Sequence, residues 1–269
     1  MKKTKILVPA MGMLLLSTAA SVTGTVAWFS ANNAVTAQGM QLKAKAQDGL
    51  VISNAASGTY NETANTVKTT CAELIPASTY NLTTWLTSKS TDPSVANTEQ
   101  EYVTTSAWVD NNADYGYVLH DFYVRSSSAS SLTVASLDVL KVEAKVNGSA
   151  AAQNLSKSLR VGIKMGSSAN VYIYAPVTGY TASYTVQKAA GAYSAVAANR
   201  ETVAPLASTT RSADTSINSI PASTADGLHV GIYIWFEGED AACISNNIVA
   251  ALEALDVTVQ FGLPSAPNA

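Results

Sequence analysis

Histidines, cysteines and clustered carboxylates are the side chains in this sequence that could do chemistry, and there are few of them. His120 and His229 are its only histidines. A zinc hydrolase would set two imidazoles four residues apart on a helix with a glutamate beside them, and a zinc site takes three or four spaced ligands. Neither histidine has such neighbours. His229 sits in GLHVGI, the setting of a half-buried strand residue. Serine is abundant, yet no GxSxG elbow, phosphate-cradling glycine loop or CxxC pair occurs. The expectation is a protein that is not an enzyme.

The densest polar group is Glu237, Glu239 and Asp240, around Gly238. Clustered carboxylates at a strand end can hold Ca²⁺ through oxygen ligands, which makes these three the candidate metal ligands. Asp110 and Asp114 offer a second pair of the same kind. The cluster lacks the twelve-residue calcium-loop pattern, and it reads equally as a charged, solvated turn. No other cofactor is expected. Cys71 and Cys243 are the only cysteines. An even count in an exported chain suggests one disulfide, and closing so long a loop is worth about 5 kcal/mol in the chain-entropy model. Asn61, Asn81, Asn147 and Asn154 head Asn-x-Ser/Thr sequons, which matter only where the host glycosylates exported proteins.

The elements that must position these groups start with an export signal. Lys2, Lys3 and Lys5 precede an apolar run, and small residues lead on to Thr25, Val26 and Ala27. Residues 1–27 therefore read as a signal peptide cut near Ala27, which places the product outside the cell or at its surface. Pro9, Gly12, Ser17 and Thr18 break the run. It is a poor permanent span, which needs about 20 mostly apolar residues, so the membrane is met only through this segment before cleavage. Beyond residue 27 the chain has 13 basic and 19 acidic residues and no basic cluster, which argues against a nucleic-acid partner. Charged residues make up only 13%, and tyrosine (12) exceeds phenylalanine (4). With so much Ala, Ser, Thr and Val, this is the composition of an extracellular all-β protein.

Period-two alternation places the strands. In residues 37–47, Met40, Leu42, Ala44 and Ala46 point one way, and Gln41, Lys43, Lys45 and Gln47 the other. Residues 50–53 continue that sheet after the Asp48 and Gly49 turn. Residues 53–70 read as a surface loop, and Ser78 or Thr79 caps a short helix reaching Trp85. Further strands are expected over 102–109, 116–125, 132–134, 139–146, 159–165, 171–175, 228–236 and 255–261. Asn147 and Gly148 form a hairpin turn, and a second short helix spans 247–254. Residues 176–225 form a long excursion with a weak strand at 180–187, and 263–269 a loose tail. The result is one domain over 28–262, a jelly-roll-type β-sandwich with long loops and one or two short helices.

The start of the chain also resembles a family. Thr25, Val26, Ala27, Trp28, Phe29 and Ser30, followed by Gly39, Met40, Gln41, Leu42, Lys43, Ala44, Lys45 and Ala46, are similar to the N-terminal segment of bacterial TasA/camelysin-like proteins. These carry a signal processed by a SipW-type peptidase. Residues 234–240 and 255–261 resemble their closing strands more loosely. The resemblance implies a jelly roll and a matrix-fibre subunit whose N-terminal strand is lent to the next copy. Residues 28–47 are then the donor segment, with Trp28, Phe29, Met40, Leu42, Ala44 and Ala46 as assembly residues. The implied partners are other copies of the chain, with surface or matrix components besides. A camelysin branch is described as metallopeptidase-like, but no zinc motif supports that here. The alternative is a monomeric extracellular module that binds a glycan or protein through Tyr and Trp of the 176–225 excursion and nearby turns.

Overall fold

A computed structural model describes residues 35–88, 102–104, 106–107, 115–187, 200–243 and 254–264. Among the described residues the chain is all-β, with two multi-stranded mixed sheets and one short helix. In chain order the strands are β1 (Val35–Ala46), β2 (Leu50–Ser53), β3 (Thr63–Leu74), β4 (Leu86–Ser88), β5 (Tyr102–Thr104), β6 (Ser106–Ala107), β7 (Tyr115–Ser126), β8 (Leu132–Thr133) and β9 (Leu137–Asn147). There follow β10 (Leu159–Met165), β11 (Tyr172–Ala175), β12 (Tyr184–Gln187), β13 (Arg200–Val203), β14 (Leu206–Ala207), β15 (Ser212–Asp214), β16 (Ser219–Ile220), β17 (Leu228–Phe236) and β18 (Ala254–Gly262).

One sheet runs β15-β9-β18-β1-β3, and the other β14-β11-β10-β17-β7-β2, with β6 added beside β7. Each long strand buries one alternate set of side chains. Met40 and Leu42 on β1, Phe122 on β7, Ile163 on β10, Ile232 on β17 and Val257 on β18 all belong to one hydrophobic cluster that draws on both sheets. Burying a side chain of this size is worth about 1.5–3 kcal/mol, so the cluster dominates the stability of the fold. The sheet containing β10 and β17 is covered on its other face as well. There Trp85 stacks on Tyr117 (3.9 Å between ring centres) and meets Trp235 edge-on (5.0 Å). The Leu82 side chain occupies the place where a Cβ on Gly162 would stand, so glycine at that position lets residues 75–88 lie flat on the sheet.

Several expectations are corrected. β2 leaves the sheet of β1 and pairs with β7, because the Asp48 and Gly49 turn hands the chain to the other sheet. The loop expected over 53–70 contains most of β3, which pairs antiparallel with β1 through backbone bonds that weak local hydrophobicity does not announce. Residues 79–85 form no helix. The Thr79 hydroxyl accepts the N–H of Leu82, and the Asn81 amide oxygen accepts those of Thr83 and Thr84, local bonds that compete with helix. Asn147 and Gly148 do not close a hairpin. They lead into the helix Ala150–Leu155, capped by Ser149 over an alanine run, and the chain then changes sheet. The second expected helix, over 247–254, lies almost wholly outside the described residues.

Candidate functional site

The segment singled out for assembly folds as β1, and its surroundings are specific. Along one edge it pairs in parallel with β18, Leu42 opposite Val257 and Ala44 opposite Val259. Along the other it pairs antiparallel with β3, Leu42 opposite Thr66 and Lys43 opposite Asn65. Both rows of backbone donors and acceptors are therefore engaged. Met40, Leu42, Ala44 and Ala46 are buried in the shared core, while Gln41 and Lys43 are exposed on the opposite face. β1 joins β2 through one turn. Asp48 and Gly49 both have positive φ (58° and 78°), and the Leu50 N–H closes the turn on the Gln47 carbonyl at 3.1 Å. The turn is moored to the end of β18, where the Leu263 N–H donates to Asp48 Oδ2 at 3.2 Å. Trp28 and Phe29, like residues 1–27 that were expected to form a signal, lie outside the described residues.

The acidic cluster takes a different form from a solvated turn. Glu237 and Asp240 are buried at the end of β17, and Glu239 is partly buried. Glu237 accepts hydrogen bonds from the Ser78 hydroxyl, from Trp235 Nε1 at 3.1 Å and from the Glu239 N–H at 3.1 Å. Asp240 pairs with the buried guanidinium of Arg160 at 2.7 Å and accepts the Thr181 N–H at 2.7 Å. Glu239 accepts the Thr185 N–H at 3.1 Å. The three carboxylates thus bind internal donors and staple residues 77–78, 181–185 and the start of β10 to the end of β17. Among the described residues no three His, Cys, Asp or Glu side chains gather as a metal site. Asp110 and Asp114 lie outside the described residues.

Burial pushes the Glu237 carboxyl up to about 7, against the lowering pull of Arg160 and its hydrogen-bond donors. The folded state therefore holds that proton more tightly than the unfolded chain, whose ordinary value is 4.5. Stability falls as pH rises through this window and levels off above it. The stability difference between the natural protein and Glu237→Gln should accordingly shift against the natural protein by about 3 kcal/mol from pH 4.5 to pH 7. Urea unfolding of both proteins across that range checks it; a difference independent of pH refutes it.

The expected disulfide is absent. Cys243 is a free, buried thiol, and burial holds its pKa well above the ordinary value. The two cysteines belong to different parts of the fold. Cys71 lies on β3, at the margin of its sheet, opposite Ala37 of β1. Cys243 follows the staple at the end of β17, where its N–H donates to the Asp240 carbonyl. His120 is buried on β7 with Nδ1 3.4 Å from the Thr66 hydroxyl. His229 is about half exposed, with Nε2 2.7 Å from Asp121 Oδ1.

No family model, curated protein or solved structure matches this chain. Sequence reasoning missed Arg160, which alternation places on the outer face of β10 and which proves to be fully buried. The sequence held half of the signal, since three acidic residues closing an apolar strand call for a cation, and the pairing of β10 with β17 supplies the other half by setting Arg160 opposite Trp235. Tyr184, in the 176–225 excursion proposed to bind ligand, is buried against the staple.

Proposed function

We propose that this chain is an exported structural subunit that joins copies of itself into surface or matrix fibres by lending β1, as its resemblance to the TasA/camelysin-like proteins implies. In this reading the two sheets are the layers of a jelly-roll sandwich, supported by the single hydrophobic cluster that both sheets feed. The observation that carries the proposal is the position of β1. The first strand in the described sequence is an inner strand of its sheet, supplies four core side chains, and is linked to the next strand by one turn with two left-handed residues. Another copy's β1 can make the same backbone bonds and fill the same core positions. Exchange then costs little beyond the opening of that turn, which frees Asp48 from a conformation non-glycine residues seldom adopt. Because each copy gives and receives at different places, the contact is head-to-tail and propagates.

A cysteine pair distinguishes lending from pairing at home. Lys43→Cys with Asn65→Cys, in a Cys71→Ser background, places two thiols on directly opposed residues of β1 and β3. Oxidised as dilute monomer, this protein should close within one chain and form no fibres by electron microscopy. Oxidised after assembly, it should give a covalent ladder on a non-reducing gel. Single-chain bands alone from assembled material would defeat strand lending, and monodisperse particles at every pH and concentration would defeat the fibre reading.

A further inference from the structure

We propose that the outer face of the β9-β18-β1-β3 layer is a binding surface for an acidic polysaccharide, a linear sugar chain bearing carboxylates. The face forms within a single folded chain, so the inference does not rest on strand lending. Register fixes its layout. Asp256 of β18 has Lys145 of β9 on one side and Gln41 of β1 on the other, and Thr258 has Glu143 and Lys43. The outward side chains form a shallow trough across all four strands. Unlike the outer face of the other sheet, which residues 75–88 cover, this one is exposed at Gln41, Lys43, Glu143, Lys145 and Asp256.

Its charges are arranged against expectation for an inert surface. The chain as a whole is acidic, with a net charge of −3. On this face four lysines stand against two carboxylates. Lys141 is paired with Glu143 at 2.6 Å. Lys43, Lys45 and Lys145 form no ion pair among the described residues, and Asp256, across from Lys145, is the one carboxylate of this face left beside the three. Lys43 and Lys45 are two apart on one face of a strand, about 7 Å, where they repel each other. Unpaired cations gathered in a trough create a local positive field that favours an anionic ligand.

The rest of the lining selects the kind of anion. Gln41, Asn65 and Thr258 supply amide and hydroxyl groups that both donate and accept, as sugar hydroxyls require. The trough has no arginine fork for bidentate phosphate capture and no aromatic ring on which a nucleic-acid base could stack. Point-charge lysines among amides suit carboxylates spaced along a sugar chain.

Affinity electrophoresis through gels containing polygalacturonate tests this, beside gels with its neutral methyl ester, with polyphosphate and with single-stranded DNA. The natural protein should be retarded by polygalacturonate at about 50 mM salt and released as salt rises. Retardation should weaken about tenfold in Lys43→Gln/Lys45→Gln/Lys145→Gln and stay unchanged in the control Lys157→Gln/Lys164→Gln. Should the triple variant fail to fold, Lys145→Gln alone, on a different strand from the other two, should weaken it two- to threefold. No retardation of the natural protein, or undiminished retardation of the lysine variants, overturns the proposal. So does equal retardation by polyphosphate or DNA, which would mean unselective attraction of anions.

Discussion

Arg160→Met is expected to destabilise the fold by about 3–5 kcal/mol, because it leaves buried carboxylates without their cation. The guanidinium is fully buried, donates to Asp240 at 2.7 Å and gives further hydrogen bonds to the carbonyls of Lys157 and Leu159 at 2.9 and 3.0 Å. It also lies 5.6 Å from the ring centres of both Tyr180 and Tyr184. Methionine fills much of the volume and supplies none of the charge. The loss should be greater at pH 8 than at pH 5, since protonation of Glu237 at the lower pH removes one of the stranded charges. Urea midpoints at the two pH values measure it. A loss below about 1 kcal/mol at pH 8 would mean that the ion pair does not hold this end of the fold together. Replacing Arg160, Glu237 and Asp240 together by apolar residues should recover much of the stability, as buried ion networks often do.

Leu42→Ala is expected to cost about 2–5 kcal/mol in the isolated subunit. Leu42 is fully buried in the middle of β1, between β18 and β3, where neighbours on both sides prevent the cavity from collapsing. Lys43→Ala, one residue on and facing outward, should stay within about 0.5 kcal/mol, which separates a core effect from a general weakening of the strand. The same substitution also reads out assembly. If β1 of one copy fills the slot of the next, the cavity lies in every subunit contact. Leu42→Ala fibres should then dissociate at a lower denaturant concentration than the natural ones, while Lys43→Ala fibres should not. Equal dissociation midpoints would place β1 outside the contact.

Strong alternation was the most legible feature of the chain. Residues 116–125, 159–165, 228–236 and 255–261 all became strands with the expected faces inward, because a period of two with large aliphatic residues leaves one conformation that buries them. Weakly apolar stretches were not legible. β3 is held by its pairing with β1, and Thr, Asn and Ala give little sign of strand when read alone. The short helix at Ala150–Leu155 did have a local signal in Ser149 and the alanines after it. The helix expected before Trp85 was a competing local signal that the side chains of Thr79 and Asn81 redirected.

The sequence by itself determined which faces of the long strands must be dry, and with that an all-β body and the inward set Met40, Leu42, Ala44 and Ala46. These follow from local periodicity and hydrophobic burial, which act within a few residues. The tertiary structure alone decided that β1 lies between β18 and β3, that Cys71 and Cys243 stay apart, that Arg160 enters the interior to meet Asp240, and that Lys43, Lys45 and Lys145 share one face. Each depends on pairing between segments 20 to more than 200 residues apart. Backbone hydrogen bonds are the same for every sequence, so which strands pair is settled only when the whole core is packed.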